Sequence, residues 1–280
     1  MPSREITVLI PHYNRPDMLK EALLSIRAQT VQPAEVLVVD DCSRPENQEK
    51  LRALRHLATI HENERNMGLR ANLNHGATLA KTEWLAFLAD DDLFLPRKLE
   101  LQNAYLDEHP ECDILVGPVI MEDDKGKREE WGFQEPRQLT LKDALVNTAI
   151  LFQSAVMRRE TYLSLGGICQ PPMEDKDFGI RALEAGYRMQ VLPEPLVIYR
   201  RGGREQLSLE WAKMFRAEVD IVRRFAHLYR REFGTFGPVK MYARQFKRYG
   251  LRRGRYVGRA LWAAGCGVHA ILGDPYRAWD

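Results

Sequence analysis

The sequence predicts an α/β fold in which helices flank a mostly parallel central sheet, followed by a helical C-terminal region. In the first half of the chain, short continuous apolar runs alternate with helical patterns, which is typical of parallel strands buried on both faces. From about Ser208 onward the pattern is helical and basic, without a strand signal. We therefore expect one α/β domain over residues 1–207 and a basic helical region over residues 208–280.

The first hundred residues contain four predicted strands separated by three predicted helices. Each strand is an apolar run, and each helix places its apolar residues on one face. The strands are predicted at residues 7–10, 36–39, 58–60 and 84–88. The helices are predicted from Pro16, from residue 42 to about residue 57, and over residues 70–81.

The second half of the α/β domain is more mixed. Pro193 and Pro195 interrupt the stretch 192–199. Because proline donates no ladder hydrogen bond, this stretch predicts an edge strand or an extended loop. The other elements predicted there are a strand at 114–121, a hairpin turn at 123–126, a strand at 151–157 and a helix at 174–185.

The charge is unevenly distributed although the net charge of the 280 residues is only +2. Residues 210–280 carry 15 Lys and Arg against 6 Asp and Glu, and the rest carries 26 against 33. The basic helices predict peripheral contact with an anionic membrane surface, or alternatively solvated helix faces. A nucleic-acid partner is not expected, since the rest of the chain is acidic and contains no recognition motif.

The four cysteines form no CxxC pair, so neither a zinc site nor a redox motif is expected. Neither a signal peptide nor an apolar run of about 20 residues is present. These features predict a cytoplasmic protein. Together with the basic helices, they are also compatible with peripheral attachment to the inner face of the membrane.

Carboxylates follow two of the predicted strands directly. Asp41 follows the strand at 36–39, and Asp90, Asp91 and Asp92 follow the strand at 84–88. Ligands of parallel sheets bind beyond the carboxyl ends of the strands, so these acids are expected to line one crevice. Adjacent carboxylates repel each other unless a cation screens them, and oxygen ligands suit Mg²⁺ or Mn²⁺. A solvated turn or a helix cap is the structural alternative.

Five segments, in order between about residues 6 and 208, resemble the motifs of the family 2 glycosyltransferases. They are VLIPHYNRP at 8–16 with SIRAQT at 25–30, EVLVVDDCS at 35–43, NMG at 66–68 with Asn72 and Asn74, WLAFLADDDLFLP at 84–96, and EDKDF at 174–178. The resemblance implies a GT-A fold with a Rossmann-like sheet. It also implies transfer from a nucleotide sugar, by default a UDP-sugar, with inversion at the anomeric carbon.

The resemblance also implies roles for individual residues. Asp91 is the implied ligand of Mn²⁺ or Mg²⁺, and Asp92 is the alternative if the register shifts. Asp175 is the implied general base that takes a proton from the acceptor hydroxyl. A helix N-terminus, which favours acidic residues, is the alternative explanation for Asp175. The implied contacts to the donor nucleotide are Pro11, Tyr13, Asn14, Asp41, Asn66, Arg70 and Asp90.

The chain departs from the family pattern at four places, one of which is Leu73, where many members carry arginine. Ala89 stands where the fuller metal motif has an acid, and Cys42 stands where the family usually has glycine. After Tyr199 the expected histidine is missing. We expect Arg201 or Arg204, on a loop with two glycines, to supply counter-charge to the diphosphate instead.

The expected function is transfer of a sugar to a hydroxyl acceptor, which includes lipid-linked glycans, in polysaccharide, lipopolysaccharide or glycoconjugate assembly. Two alternatives use the same fold. A sugar nucleotidyltransferase also binds a nucleotide beside metal-bound acids, but it releases pyrophosphate. A non-catalytic binding module would bind the nucleotide sugar without turning it over.

Overall fold

The computed structural model describes residues 4–148, 150–169, 172–201, 211–250 and 255–272. Its strands are β1 (Ile6–His12), β2 (Glu35–Asp40), β3 (Thr59–Glu62), β4 (Trp84–Phe87), β5 (Leu93–Phe94), β6 (Ile114–Val116), β7 (Val119–Glu122), β8 (Arg128–Trp131), β9 (Arg137–Gln138), β10 (Val156–Arg158), β11 (Met189–Val191) and β12 (Val197–Arg200). Its helices are α1 (Pro16–Arg27), α2 (Pro45–Arg52), α3 (Gly68–Leu79), α4 (Lys98–Glu108), α5 (Leu141–Val146), α6 (Arg159–Ser164), α7 (Glu174–Glu184), α8 (Trp211–Arg224), α9 (Ala226–Phe233), α10 (Gly237–Gly250) and α11 (Arg255–Leu272).

The central sheet has eight strands in the order β3-β2-β1-β4-β10-β6-β11-β9. Strands β3, β2, β1 and β4 run parallel, as do β6 and β11, whereas β9 and β10 are antiparallel to their neighbours. The predicted α/β class with a mostly parallel sheet is therefore confirmed. The parallel strands end at the same edge, which places the residues that follow β1, β2 and β4 side by side.

Both faces of the central sheet are covered. Leu9 belongs to the hydrophobic core on one face, and Val8 and Ile10 belong to the core on the other. Helix α3 approaches the first face closely at Gly76, where an added Cβ would lie 2.6 Å from Leu9 Cδ1. Burial on both faces explains why these strands are continuous apolar runs.

A smaller sheet has the order β5-β12-β7-β8. Of the stretch 192–199, predicted as an edge strand or an extended loop, residues 192–196 lie outside any strand, whereas β12 is not an edge strand. Strand β12 lies between β5 and β7 and is paired on both sides. Pro193 and Pro195 both precede Val197, where β12 begins, so they remove no hydrogen bond from the ladder.

Other boundaries also differ from the prediction. The strand predicted at 114–121 breaks at Gly117 and Pro118, and its two halves join different sheets. The stretch 151–154 forms turns, in which Leu151 O accepts from Ser154 N at 2.9 Å, so only β10 is a strand there. Helix α2 ends at Arg52, before the predicted residue 57. The predicted hairpin is confirmed by the antiparallel pairing of β7 with β8.

The C-terminal helices pack on the α/β domain through buried polar contacts. Tyr229 Oη donates to Leu145 O at 2.6 Å, and Arg224 pairs with the buried Asp177. Arg224 thus contributes to packing, while Arg230 is exposed. The predicted domain boundary at residue 207 lies outside the described residues. Among the described helices, none combines the length and apolarity needed to cross a membrane.

Candidate active site

A cleft of about 1050 Å³ opens at the carboxyl ends of β1, β2 and β4. Nine of the ten residues that the sequence predicted for the site line it, so the structure brings distant motifs together. They are Pro11, Tyr13, Asn14, Asp41, Asn66, Asp90, Asp91, Asp92 and Asp175. The tenth, Arg70, is not among the described lining residues. Its Nη1 donates to Cys169 O at 3.0 Å, and its role at the diphosphate stays a prediction.

Asp41 organises the nucleotide side of the cleft. Its Oδ1 accepts from Met67 N at 2.7 Å and its Oδ2 accepts from Gly68 N at 2.8 Å. These amides open α3 and have no partner within the helix, and a carboxylate there also complements the helix dipole. Asp41 therefore holds the loop that carries Asn66 into the cleft. Its predicted contact with the base or ribose stays a prediction.

Asn14 joins the end of β1 to the start of α2. Its backbone N donates to Ser43 Oγ at 2.8 Å, and its side-chain Oδ1 accepts from Arg44 N at 2.8 Å. Both Asn14 and Cys42 have a φ of 59°, in the left-handed region. Asparagine tolerates this region, but other L-residues are strained in it. Cys42 is therefore strained at a position that glycine would occupy without strain.

Replacing Cys42 with glycine is expected to raise the free energy of unfolding by about 1 kcal/mol, because glycine adopts a positive φ without strain. Chemical denaturation of the purified variant measures this change. Cys42→Ser is the matched control, since serine keeps the Cβ and should bring no gain. A glycine variant less stable than the serine variant would contradict the explanation.

The three acids after β4 are held differently from one another. Asp90 Oδ2 lies 2.8 Å from His12 Nδ1, and Asp91 Oδ2 lies 2.9 Å from Arg15 Nη1. The same Arg15 nitrogen lies 3.6 Å from Asp90 Oδ1. One guanidinium is therefore shared by two neighbouring carboxylates and offsets only part of their charge. Asp92 is fully buried, and its Oδ1 accepts from Arg200 N at 2.9 Å.

Asp91 is the most exposed of the three acids that follow β4. Its side chain is 19% exposed, compared with 10% for Asp90. Burial and then the charge of Asp90 raise the pKa of Asp91, and Arg15 opposes this rise. Burial, followed by the charge of Asp91, raises the pKa of Asp92 well above its usual value. The exposure favours Asp91 over Asp92 as a ligand for a cation from solution.

The donor atoms here suit a hard divalent cation, although within the described residues no group of three or more His, Cys, Asp or Glu is placed to hold one. Asp90 and Asp91 already gather their oxygens around a positive charge, the Arg15 guanidinium. Ala89 supplies no ligand. The predicted counter-charge Arg204 and the two glycines before it lie outside the described residues, whereas Arg201 is exposed and lines the cleft.

Asp175 lies in the first turn of α7. It is distant in sequence from the acid cluster, Asp90 to Asp92, but it lines the same cleft. Its Oδ1 accepts from Phe152 N at 3.3 Å. Burial raises the pKa of Asp175 well above 3.8, and the charge of Glu174 raises it further. Burial also raises the pKa of Glu174. A carboxyl with a raised pKa is a stronger base than an ordinary one once it is ionised.

Sequence reasoning missed the basic partners of these acids. Arg15 stands 76 residues before Asp91, and Arg200, whose backbone N donates to Asp92, stands 108 residues after it. Arg15 belongs to the strand-end motif itself, which was the available signal. Lys176 pairs with Glu218 of α8 through Nζ and Oε2 at 3.1 Å, and no local pattern indicates that contact.

The family profile described as Glycosyl transferase family 2 matches residues 7–164 of the chain. An uncharacterized glycosyltransferase of Haemophilus influenzae is 29% identical over 201 residues, which are 68% of this chain and 66% of that protein. The amylovoran biosynthesis glycosyltransferase AmsE of Erwinia amylovora is 27% identical over 235 residues, or 78% of this chain and 84% of AmsE. The putative teichuronic acid biosynthesis glycosyltransferase TuaG of Bacillus subtilis is 26% identical over 215 residues, or 74% of this chain and 82% of TuaG.

Two solved structures share the fold. TarS 1–349 of S. aureus in complex with UDP-GlcNAc has a TM-score of 0.70 and 20% identity, covering 98% of this chain and 82% of that one. The mannosyltransferase PcManGT of Pyrobaculum calidifontis in complex with GDP-Man and Mn²⁺ has a TM-score of 0.62 and 20% identity, covering 100% and 84%.

Proposed function

The chain belongs to glycosyl transferase family 2, and from this premise we propose that it moves a sugar from a nucleotide diphosphate donor to a hydroxyl acceptor with inversion at the anomeric carbon. A UDP-sugar is the default donor. The observation that carries the proposal is the shared cleft of the acid cluster and Asp175, whose pKa burial raises. One end of the cleft suits a diphosphate with its cation, and the other presents a base.

In this proposal the nucleoside lies against Pro11 and Tyr13, with Asp41 and Asn66 beside it. Tyr13 is 43% exposed in the cleft and can pack a ring against the base. The UDP-GlcNAc and GDP-Man complexes of the two similar structures support a nucleotide-sugar partner. A thermal-shift screen of donors distinguishes UDP, dTDP and GDP as the nucleotide.

Asp91, with Asp92 as the alternative, holds Mn²⁺ or Mg²⁺ in this proposal, and the Mn²⁺ in the PcManGT complex supports it. When bound, such a cation neutralises charge on the leaving diphosphate. Arg15 would compete with the cation for Asp91, because two cations repel each other at the same carboxylate. Arg15 and the exposed Arg201 would supply charge-assisted hydrogen bonds to the phosphates.

Asp175 acts as the general base. The acceptor oxygen attacks the anomeric carbon, the bond from that carbon to the diphosphate oxygen breaks, and the acceptor proton passes to a carboxylate oxygen of Asp175. The attack and the departure occur on opposite faces of the sugar, so the configuration inverts. A single displacement needs no covalent enzyme intermediate.

The relatives AmsE and TuaG, named for amylovoran and teichuronic acid biosynthesis, support a role in polysaccharide assembly, with lipopolysaccharide or other glycoconjugates as the wider class. A lipid-linked acceptor and a peripheral membrane contact of the basic helices stay predictions.

A thermal-shift screen of UDP-, dTDP- and GDP-sugars with and without Mn²⁺ tests the donor. A ligand that binds only the folded state at about 100 times its Kd stabilises it by about 2.7 kcal/mol. We expect a UDP-sugar with Mn²⁺ to give the largest shift. Stabilisation only by a nucleoside triphosphate with a sugar phosphate would favour the nucleotidyltransferase alternative. Stabilisation by a nucleotide sugar without turnover would favour the non-catalytic binding module.

A further inference from the structure

Part of the cleft wall is built by the C-terminal helices. Met214 and Glu218 of α8 and Arg248 of α10 line the cleft together with Asp175. Lys176, the residue after Asp175, is 1% exposed and pairs with Glu218 at 3.1 Å. This buried pair holds the helix that carries Asp175 against α8. The C-terminal helices therefore border the space beside the proposed base.

Two arginines lie near the Lys176 end of this buried pair. Burial lowers the pKa of Lys176, Glu218 opposes that change, and Arg248 and Arg244 lower it further, so both arginines lie close enough to repel its ammonium. Arg244 is buried, with its Nη1 3.4 Å from Val146 O, so its charge cannot reach a ligand directly.

Arg248 is the cation of this group that reaches solvent. Its side chain is exposed and lines the cleft, and no carboxylate of the described residues lies within ion-pair distance of it. An exposed arginine on a cleft wall, with no carboxylate of the described residues within ion-pair distance, suits an anion from solution.

Apolar side chains lie in the same cleft. Trp131, at the end of β8, is 39% exposed there, and Met121 and Met214 also line the cleft. An exposed indole offers a flat apolar surface for the carbon face of a sugar ring. The cleft therefore combines a surface for sugar rings with a cation for a charged substituent.

We propose that the C-terminal helices form the acceptor subsite, in which Arg248 binds a phosphate or carboxylate group on an acceptor glycan whose rings pack against Trp131. This inference rests on the proposed function, because it places the acceptor beside Asp175. The planar guanidinium matches both phosphate and carboxylate oxygens through paired hydrogen bonds. The acceptor is accordingly an anionic glycan rather than a neutral one.

Titration of the full chain with three trimers tests the inference, both without nucleotide and with UDP. The probes are trigalacturonate, a glycerol phosphate trimer and the neutral galactotriose. We expect at least one charged trimer to bind about tenfold or more tightly than galactotriose. The charged trimer that shows the preference identifies carboxylate or phosphate as the recognised group. Higher salt should reduce the preference.

Arg248→Ala should remove the preference, and Arg248→Glu should reverse it in favour of galactotriose. Arg230→Ala is the matched control, since Arg230 is equally exposed but does not line the cleft, and it should keep the preference. Equal binding of all three trimers, no binding at millimolar concentration, or a preference that survives Arg248→Ala would overturn the inference. Failure of the proposed function is a different result from failure of this inference, because it would appear as the absence of turnover with every nucleotide sugar.

Discussion

Replacing Asp175 with asparagine is expected to lower the rate of sugar transfer about 1000-fold, because the variant has no base for the acceptor proton. Asparagine has the same size, and its Oδ1 can still accept from Phe152 N. Nucleotide-sugar binding should therefore stay nearly unchanged. The measurement is kcat for transfer with the best donor of the screen, together with the donor Kd from titration. Transfer at the wild-type rate would exclude Asp175 as the base.

The pH dependence of the wild-type rate follows from the raised pKa of Asp175. Because a base must be ionised, the rate should fall as the pH drops through that raised pKa, at a pH well above 3.8. Glu174→Gln is the matched variant, since it removes the neighbouring negative charge that raises this pKa. We expect its acid limb to move to lower pH while its rate at high pH is retained. If the acid limb of the Glu174→Gln profile does not move, a group other than Asp175 controls the loss of rate at low pH.

Stability measurements separate loss of the base from loss of the fold. The folded state binds the Asp175 proton more tightly than the unfolded state, so stability decreases as the pH rises from about 3.8 through the folded pKa. Asparagine cannot ionise and avoids this loss. At neutral pH the Asp175→Asn protein should be at least as stable as the wild type, as measured by its Tm.

Replacing Asp91 with asparagine is expected to lower kcat/KM for the donor by about 100-fold or more, because an unneutralised diphosphate is a poor leaving group. The same change should weaken Mn²⁺ binding, which electron paramagnetic resonance of the free ion measures without any turnover. Asp91 is more exposed than Asp90, the other acid that contacts Arg15. Loss of the Asp91 carboxylate should therefore weaken Mn²⁺ binding more than loss of the Asp90 carboxylate.

Two further variants sharpen the metal prediction. Arg15→Ala removes the cation that competes at Asp91, so Mn²⁺ should bind more tightly to this variant in the absence of nucleotide. Asp92→Asn keeps an acceptor for Arg200 N, so Mn²⁺ binding should stay close to that of the wild type. Weaker binding in Asp92→Asn than in Asp91→Asn would assign the metal to the alternative register.

The elements with strong local patterns were predictable from the sequence. Strands β1, β2 and β4 are buried on both faces, so their apolar runs are unambiguous. The smaller sheet was not predictable, because its pairings depend on contacts between distant segments, such as Ile198 with Ile120. The break at Pro118 did carry a local signal, since proline interrupts a strand.

The acids of the candidate site were predictable because they follow strands that end at one edge of the sheet. The pairing of Arg15 with Asp91 was not predictable, although Arg15 belongs to a strand-end motif, because the two residues meet only when the strands align. The contribution of the C-terminal helices to the cleft wall was also not predictable from the sequence, because Lys176 and Glu218 are 42 residues apart. Cys42 shows the opposite case, in which a departure from the family pattern marked a strained φ.

The most direct test of the proposed function is the turnover of the stabilising nucleotide sugar with acceptor, followed by ³¹P and ¹H nuclear magnetic resonance. Inverting sugar transfer predicts release of the nucleoside diphosphate and a first-formed product whose anomeric configuration is opposite to that of the donor. Release of pyrophosphate, or a product that retains the donor configuration, would contradict it.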